Sequence, residues 1–228
     1  MATKPVWSKV ILIGDSLVQF SFNPDSGCWA SMLANSLQRI SDVVTRGFSG
    51  YTSRSIRNVL PDILSKDDYD QAACIILFIG VNDACDNTSI QHVPKDQTED
   101  NLTAILAYLK EQGVPTSKII MLTPTCFFFD EFQAIHDFKL PQRYPDEYSK
   151  IVRRVADKAG VEIVDTNKLS NEHPNPRSLF YDGIHLNRTG AELLYKAIWP
   201  SVVKRVTDFH GSFEIKLPIW EIKEKELQ

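Results

Sequence analysis

Cysteine is scarce in this chain, four in 228 residues, and no two of the four form a CxxC pair. Cys28, Cys74, Cys85 and Cys126 are widely and irregularly spaced, which argues against a structural zinc site or a dense disulfide framework and leaves free thiols. Long apolar runs are missing too. Nothing approaches the roughly 18 to 20 residues that cross a bilayer, and the amino terminus lacks the apolar stretch of a secretory signal, so a cytoplasmic protein without a membrane span is expected. Basic charge is not in excess. The 25 Lys and Arg are interspersed with 29 Asp and Glu for a formal charge of −4, which excludes the positive field that grips nucleic acid. No Gly-rich phosphate loop or dinucleotide fingerprint occurs, so nothing points to a nucleotide cofactor.

What the chain does have is an apolar fraction of 43%, enough for one globular domain with a substantial core. Its first regular stretch, residues 9–16 (KVILIGDS), carries the near-continuous β-branched run of a strand buried on both faces, stopped by Gly14, Asp15 and Ser16. Further strands are expected at residues 42–46, 72–79, 118–122 and 161–164, each separated from the next by a helical pattern. Helices are expected from Trp29 through Ile40, then at 52–64, 96–113, 145–159 and 189–206. Pro61 should break or bend the second of these, and Pro200 is awkward in the last. Five strands alternating with helices predict an α/β fold with a right-handed, mostly parallel sheet covered on both sides. Residues 1–207 would form this body. In residues 208–228, Phe213, Ile215, Leu217 and Ile219 alternate with polar residues, which predicts an extended segment lying on the body or on a second subunit of a homodimer.

Residues 126–144 are the least regular part, and Phe127, Phe128, Phe129, Phe132 and Phe138 are too many to leave in water. Segments of this kind often form lids or pocket walls. Here they are weighed as a hydrophobic acyl or alcohol pocket against packing over the sheet edge.

A nucleophilic hydroxyl needs an imidazole to take its proton, and the imidazole needs a partner that fixes its tautomer. Of five histidines, His92, His136, His173 and His210 stand in polar or irregular surroundings. His185 differs, because Asp182 precedes it by three residues in a short loop before the last helix, where both side chains can point at one spot. A parallel sheet brings that loop and Ser16 to the same carboxyl edge. Two further loops offer donors for a developing oxyanion, the Gly50 N–H and the Asn82 side-chain amide. Asp15 and Asp83 adjoin these positions and are expected to accept backbone N–H groups and fix their loops.

Four blocks, GDS at residues 14–16, GFSG at 47–50, GVND at 80–83 and DGIH at 182–185, resemble in order and spacing those of the GDSL lipase/esterase family within the SGNH hydrolases. The resemblance implies a flavodoxin-like three-layer α/β/α sandwich. It also implies Ser16 as nucleophile, His185 as base, Asp182 as its orienting partner, and an oxyanion hole from Ser16 N–H, Gly50 N–H and Asn82. Within the family, RGFSGYTSR at 46–54, HVP at 92–94 and the DGIHLNRTGAELLYKAIWP ending resemble the isoamyl acetate-hydrolysing esterase branch, which implies hydrolysis of small acyl esters with no cofactor and no metal. Two departures bear on acyl and alcohol preference. Cys28 stands where many relatives carry glycine, and TPTCFFFDEF replaces a proline-rich segment. The same machinery would serve a lysophospholipase, a thioesterase or a carbohydrate deacetylase. Two other classes are carried beside it: a phosphatase or nuclease using Asp15, Asp83, Asp182 and His185 as metal ligands, which leaves Ser16 unexplained, and a noncatalytic binding protein on this fold.

Overall fold

The computed structural model describes residues 6–136 and 140–216. Strand β1 (Ser8–Gly14) is followed by a single helical turn, α1 (Ser16–Gln19), then α2 (Trp29–Ser36), β2 (Ser41–Gly47), α3 (Ser53–Ile63), α4 (Lys66–Asp70) and β3 (Ala72–Phe78). The second half comprises α5 (Lys95–Glu111), β4 (Ile119–Leu122), α6 (Phe129–Ala134), α7 (Pro145–Ala159), β5 (Glu162–Val164), α8 (Thr166–Asn171) and α9 (Arg188–His210). The five strands lie in the order β2-β1-β3-β4-β5, and every pairing is parallel.

Strand periodicity explains the layers. Along β1, Val10 and Leu12 face a core shared with α2 and α9, whereas Ile11 and Ile13 face a second core shared with α3, α5 and α7. Both faces are covered, so the strand has no polar alternation to show, and each such buried side chain contributes roughly 1.5 to 3 kcal/mol. The result is the expected three-layer α/β/α sandwich. Because the chain leaves β1 toward β2 on one side and places β3 on the other, the direction of winding reverses between β1 and β3, and the crevice outside their carboxyl ends is where an open α/β sheet receives ligands.

The two internal prolines do not break their helices. Pro61 and Pro200 sit on the exposed faces of α3 and α9, and the carbonyls that lose a partner, those of Arg57 and Lys196, belong to exposed residues where water can serve them. The last helix therefore runs on to His210 instead of ending near Val206, and Gly211 closes it in the left-handed conformation. Beyond it, Phe213 packs edge-on against Trp199 at 5.9 Å and the Lys216 N–H donates to the Arg39 carbonyl at 2.8 Å, while Ile215 is exposed. Leu217 and Ile219 of the expected extended segment, and Phe138 of the aromatic segment, lie outside the described residues.

Candidate active site

Ser16 is the first residue of α1 and not a free loop residue. Asp15 caps the turn, its Oδ1 accepting the Leu17 N–H at 2.9 Å. This holds Ser16 at the rim of β1, where its Oγ lies 2.9 Å from His185 Nε2. The other ring nitrogen, Nδ1, lies 2.5 Å from Asp182 Oδ2. The remaining oxygen of Asp182 accepts the backbone N–H groups of Ile184 at 3.0 Å and His185 at 2.7 Å, so the carboxylate is fixed before it meets the ring. Burial pushes the Asp182 carboxyl up, but the contact with His185 and the two backbone N–H groups outweigh it and hold the group below its usual range. The loop is itself a closed unit. Phe180 and Leu186 form an antiparallel bridge, the Tyr181 N–H donates to the His185 carbonyl at 3.1 Å, and Asn187 both caps α9 and donates to the Ser178 and Phe180 carbonyls.

Three aromatic rings surround the imidazole. Tyr181 stacks on it at 5.6 Å, and Phe20 and Phe132 meet it edge-on at 5.5 and 6.4 Å. Of the four phenylalanines of this segment that lie among the described residues, weighed as pocket wall or packing, only Phe132 makes this ring contact. Phe127 packs against Phe129 and Phe132, and Phe128 against Phe180, beneath the Arg177 guanidinium. Part of the segment is helical, as α6. The recess that does open beside Ser16 and His185 is small, with room for about one water-sized group, and is lined by Leu17, Phe20, Ser26, Gly27, Cys28, Trp29 and Leu186. Of this wall sequence reasoning marked Cys28 alone. Ser26, Gly27 and Cys28 belong to the irregular stretch before α2, held over the site by the Gly27 N–H bond to the Leu186 carbonyl, a contact 159 positions apart for which no local pattern exists.

The two remaining loops stand against the same edge. Gly47 lies so close to α1 that a Cβ there would fall 2.1 Å from the Gln19 nitrogen, so only glycine lets the loop after β2 reach the serine's helix. Gly50 has φ +80° in a turn closed by the Tyr51 N–H bond to the Phe48 carbonyl, and its own N–H meets no acceptor among the described residues. Asn82, 3% exposed, donates one amide hydrogen to the Tyr51 carbonyl at 2.9 Å, tying the loop after β3 to that turn. The Ser16 N–H, first in its helix, has no acceptor within the helix either.

Asp83 is surrounded by protein donors, whereas of the two Asp15 oxygens only Oδ1 meets one, the Leu17 N–H. Asp83 accepts the Ser53 N–H and hydroxyl and the Thr98 hydroxyl. Burial raises the Asp83 carboxyl above its usual range and lifts that of Asp15 to about 7. Arg143, 6% exposed, lies over the rings of Phe127 and Phe132 at 5.3 and 5.0 Å, a cation in the aromatic segment that no sequence pattern marked.

A human protein named isoamyl acetate-hydrolyzing esterase 1 homolog is 33% identical over 223 residues, covering 94% of this chain and 88% of its own. The isoamyl acetate-hydrolyzing esterase of Schizosaccharomyces pombe is 30% identical, covering 95% and 84%. The crystal structure of a lipase/acylhydrolase from Enterococcus faecalis superposes with a TM-score of 0.69 at 18% identity, over 92% of this chain and all of the other, and so shares the fold. Residues 12–193, which include all four blocks and the loops that carry them, match the GDSL-like lipase/acylhydrolase family, and the chain belongs to that family of ester hydrolases.

Proposed function

We propose that this enzyme is a serine esterase acting on short-chain, acetate-type carboxylic esters through an acyl-enzyme, without metal or cofactor. The observation that carries the proposal is the line of contacts from Ser16 Oγ through both nitrogens of His185 to Asp182. In this reading His185 Nε2 takes the Ser16 proton as Oγ attacks the ester carbonyl, and Asp182 holds the ring in the required tautomer and supports its positive form. The charged oxygen of the tetrahedral intermediate is received by the N–H groups of Ser16 and Gly50 and by the Asn82 amide. The alcohol leaves with the proton, and water repeats the sequence on the acyl-enzyme. Support for a short acyl group comes from the recess beside Ser16, which has room for about one water-sized group, the size of an acetyl methyl and not of a lipid chain. The names of the human and fission-yeast relatives point the same way.

The test is treatment with a serine-directed fluorophosphonate, followed by peptide mapping, together with a panel of p-nitrophenyl esters of increasing acyl length. A single adduct at Ser16 that His185→Ala prevents, with acetate turned over fastest, is the expected result. Folded protein that forms no adduct and hydrolyses no ester, yet turns over a phosphate ester after Ser16→Ala, would replace the proposal with the metal-site alternative.

A further inference from the structure

The HVP run and the glutamine before it are not used by the mechanism, yet they reach its oxyanion donor. Residues 48–51 form a reverse turn with the Tyr51 N–H donating to the Phe48 carbonyl at 3.0 Å and φ +80° at Gly50, its third residue. Positive φ at that position is the mark of a type II turn. Types I and II differ by a flip of the central peptide, and the central peptide here, between Ser49 and Gly50, carries the Gly50 N–H. The turn type therefore decides which way the donor points.

What holds the turn in one type is a set of side chains on its flanking peptides. On one side the Ser49 N–H donates to Gln19 Oε1 at 2.6 Å. On the other, Gln91 Nε2 donates to the Gly50 carbonyl at 2.9 Å. The orientation of the Gln91 amide is dictated by its far end, where Oε1 faces Arg143 Nη2 at 3.5 Å and the Cys85 thiol at 3.7 Å, both donors. Its backbone stands on firm support. His92 Nδ1 meets the Cys85 carbonyl at 2.6 Å, the Val93 N–H donates to the Asp83 carbonyl at 3.2 Å, and the Tyr148 hydroxyl donates to the Val93 carbonyl at 2.6 Å.

We infer that Gln91 is a positioning residue for the oxyanion hole: clamped to the Gly50 carbonyl, it keeps the turn at 48–51 in the type II form that presents the Gly50 N–H to the reacting oxygen. This rests on the reading of Gly50 as an oxyanion donor. The clamp acts when charge develops and not when substrate first binds, so its loss should appear in turnover and in the affinity of tetrahedral mimics.

Two variants of matching length test it. Gln91→Met removes both ends of the amide, whereas Gln91→Glu keeps an acceptor toward Arg143 and replaces the donor to Gly50 with a second acceptor. For each, kcat and KM on p-nitrophenyl acetate, the inhibition constant of a short alkyl boronic acid and the thermal midpoint are measured. The expected result in both is a fall of about 10-fold in kcat, smaller than the loss of a whole oxyanion donor, with KM within about twofold. The boronic acid should weaken by the same factor as kcat, while the thermal midpoint is retained. Wild-type kcat and wild-type boronic acid affinity in both variants would overturn the inference, as would a fall in kcat without a matching loss of boronic acid affinity. Loss of the cooperative thermal transition in both would also count against it, because a contact that only positions one turn leaves the fold intact. Fluorophosphonate labelling of the wild type keeps the two readings apart: an unlabelled but active wild type sinks the serine mechanism itself, whereas a labelled wild type with indifferent Gln91 variants sinks only the clamp.

Discussion

Asp83 grips Ser53 by both its backbone N–H, at 2.9 Å from Oδ2, and its hydroxyl. Ser53 begins α3, and Asp83 follows Asn82 in the loop after β3, so one carboxylate fastens the helix that leaves the second loop to the turn that forms the third. The Thr98 hydroxyl from α5 reaches the same carboxylate at 3.2 Å, and Asn101 donates to Ser53 Oγ at 3.1 Å. Asn82 is thereby held in place before any substrate arrives, which is the condition for an amide to stabilise charge without reorganising.

Asp83→Ala should lower stability by about 2 to 4 kcal/mol, because a buried N–H and two hydroxyls lose their acceptor together. Asp83→Asn should cost less, since its carbonyl oxygen still accepts the Ser53 N–H. Urea unfolding of the two variants checks the ranking. Equal stability of all three proteins would remove the structural role.

Asp182→Asn should leave the fold intact, as the amide oxygen can still accept the Ile184 and His185 N–H groups. The amide nitrogen, however, would face His185 Nδ1 and favour the tautomer that carries its proton on Nε2. Such a ring has no lone pair for the Ser16 proton. A fall in kcat of up to about 10⁴ at neutral pH is expected, the size seen for the equivalent change in a Ser-His-Asp protease. A variant retaining a tenth of the activity or more would deny Asp182 the orienting role.

How much could be read in advance depends on how local the cause is. The strands β1 and β3 are visible in sequence because burial on both faces leaves an unbroken apolar run, and α7 matches its expected range because Pro145 opens it and Gly160 closes it in the left-handed conformation. Ser16, Gly50, Asn82, Asp182 and His185 could be named as candidates because each lies within a few residues of a strand end or helix start. Pro61 and Pro200 were misleading, since the cost of a helical proline depends on whether the freed carbonyl meets water, which is a tertiary fact. Phe20, Gln91 and Arg143 carried no local signal at all. Their places are set by contacts between distant segments, such as Gln91 with Gly50 or Arg143 with the rings of Phe127 and Phe132.

Asp15 should give the protein a stability that falls as pH rises. Burial lifts its carboxyl from 3.8 to about 7; the Leu17 N–H offsets part of this, the Asp83 charge adds to the rise, and Arg143 opposes it. Between these values the folded state holds a proton that the unfolded chain has released, so stability is fully present below about pH 4 and is lost on the way to about pH 7. At about 1.4 kcal/mol per pH unit the loss is of the order of 2 to 4 kcal/mol. Carboxylates held low, such as Asp68 at about 2 and Asp182, act with the opposite sign but mostly below that window. Asp15→Asn keeps the acceptor for Leu17 and cannot titrate. Its stability relative to wild type should therefore be higher at pH 8 than at pH 5, and urea midpoints that keep the same difference at both values would contradict the prediction.

Cys28 offers the sharpest separation of pocket from backbone. It stands at the start of α2 with φ +47° and ψ +45°, in the left-handed region, with no capping hydrogen bond from its side chain. A residue bearing a Cβ costs about 1 to 2 kcal/mol in that conformation, whereas glycine adopts it freely but gives up roughly 0.5 to 1 kcal/mol of unfolded-state entropy. Cys28→Gly should therefore be as stable as wild type or up to about 1 kcal/mol more stable, an unusual outcome for the loss of a partly buried side chain. Cys28→Ala keeps the backbone cost and gains nothing. Both variants enlarge the recess beside Ser16 by removing the thiol, and that recess now has room for about one water-sized group. If it receives the acyl chain, both should raise turnover of propionate and butyrate esters relative to acetate, and only Cys28→Gly should do so without a stability cost. Thermal unfolding and an acyl-length panel on the two proteins read the two effects separately. An unchanged acyl profile in both would move the acyl group away from the wall at Phe20 and Cys28, leaving the face of His185 bounded by Phe132 as the place where chain length is judged.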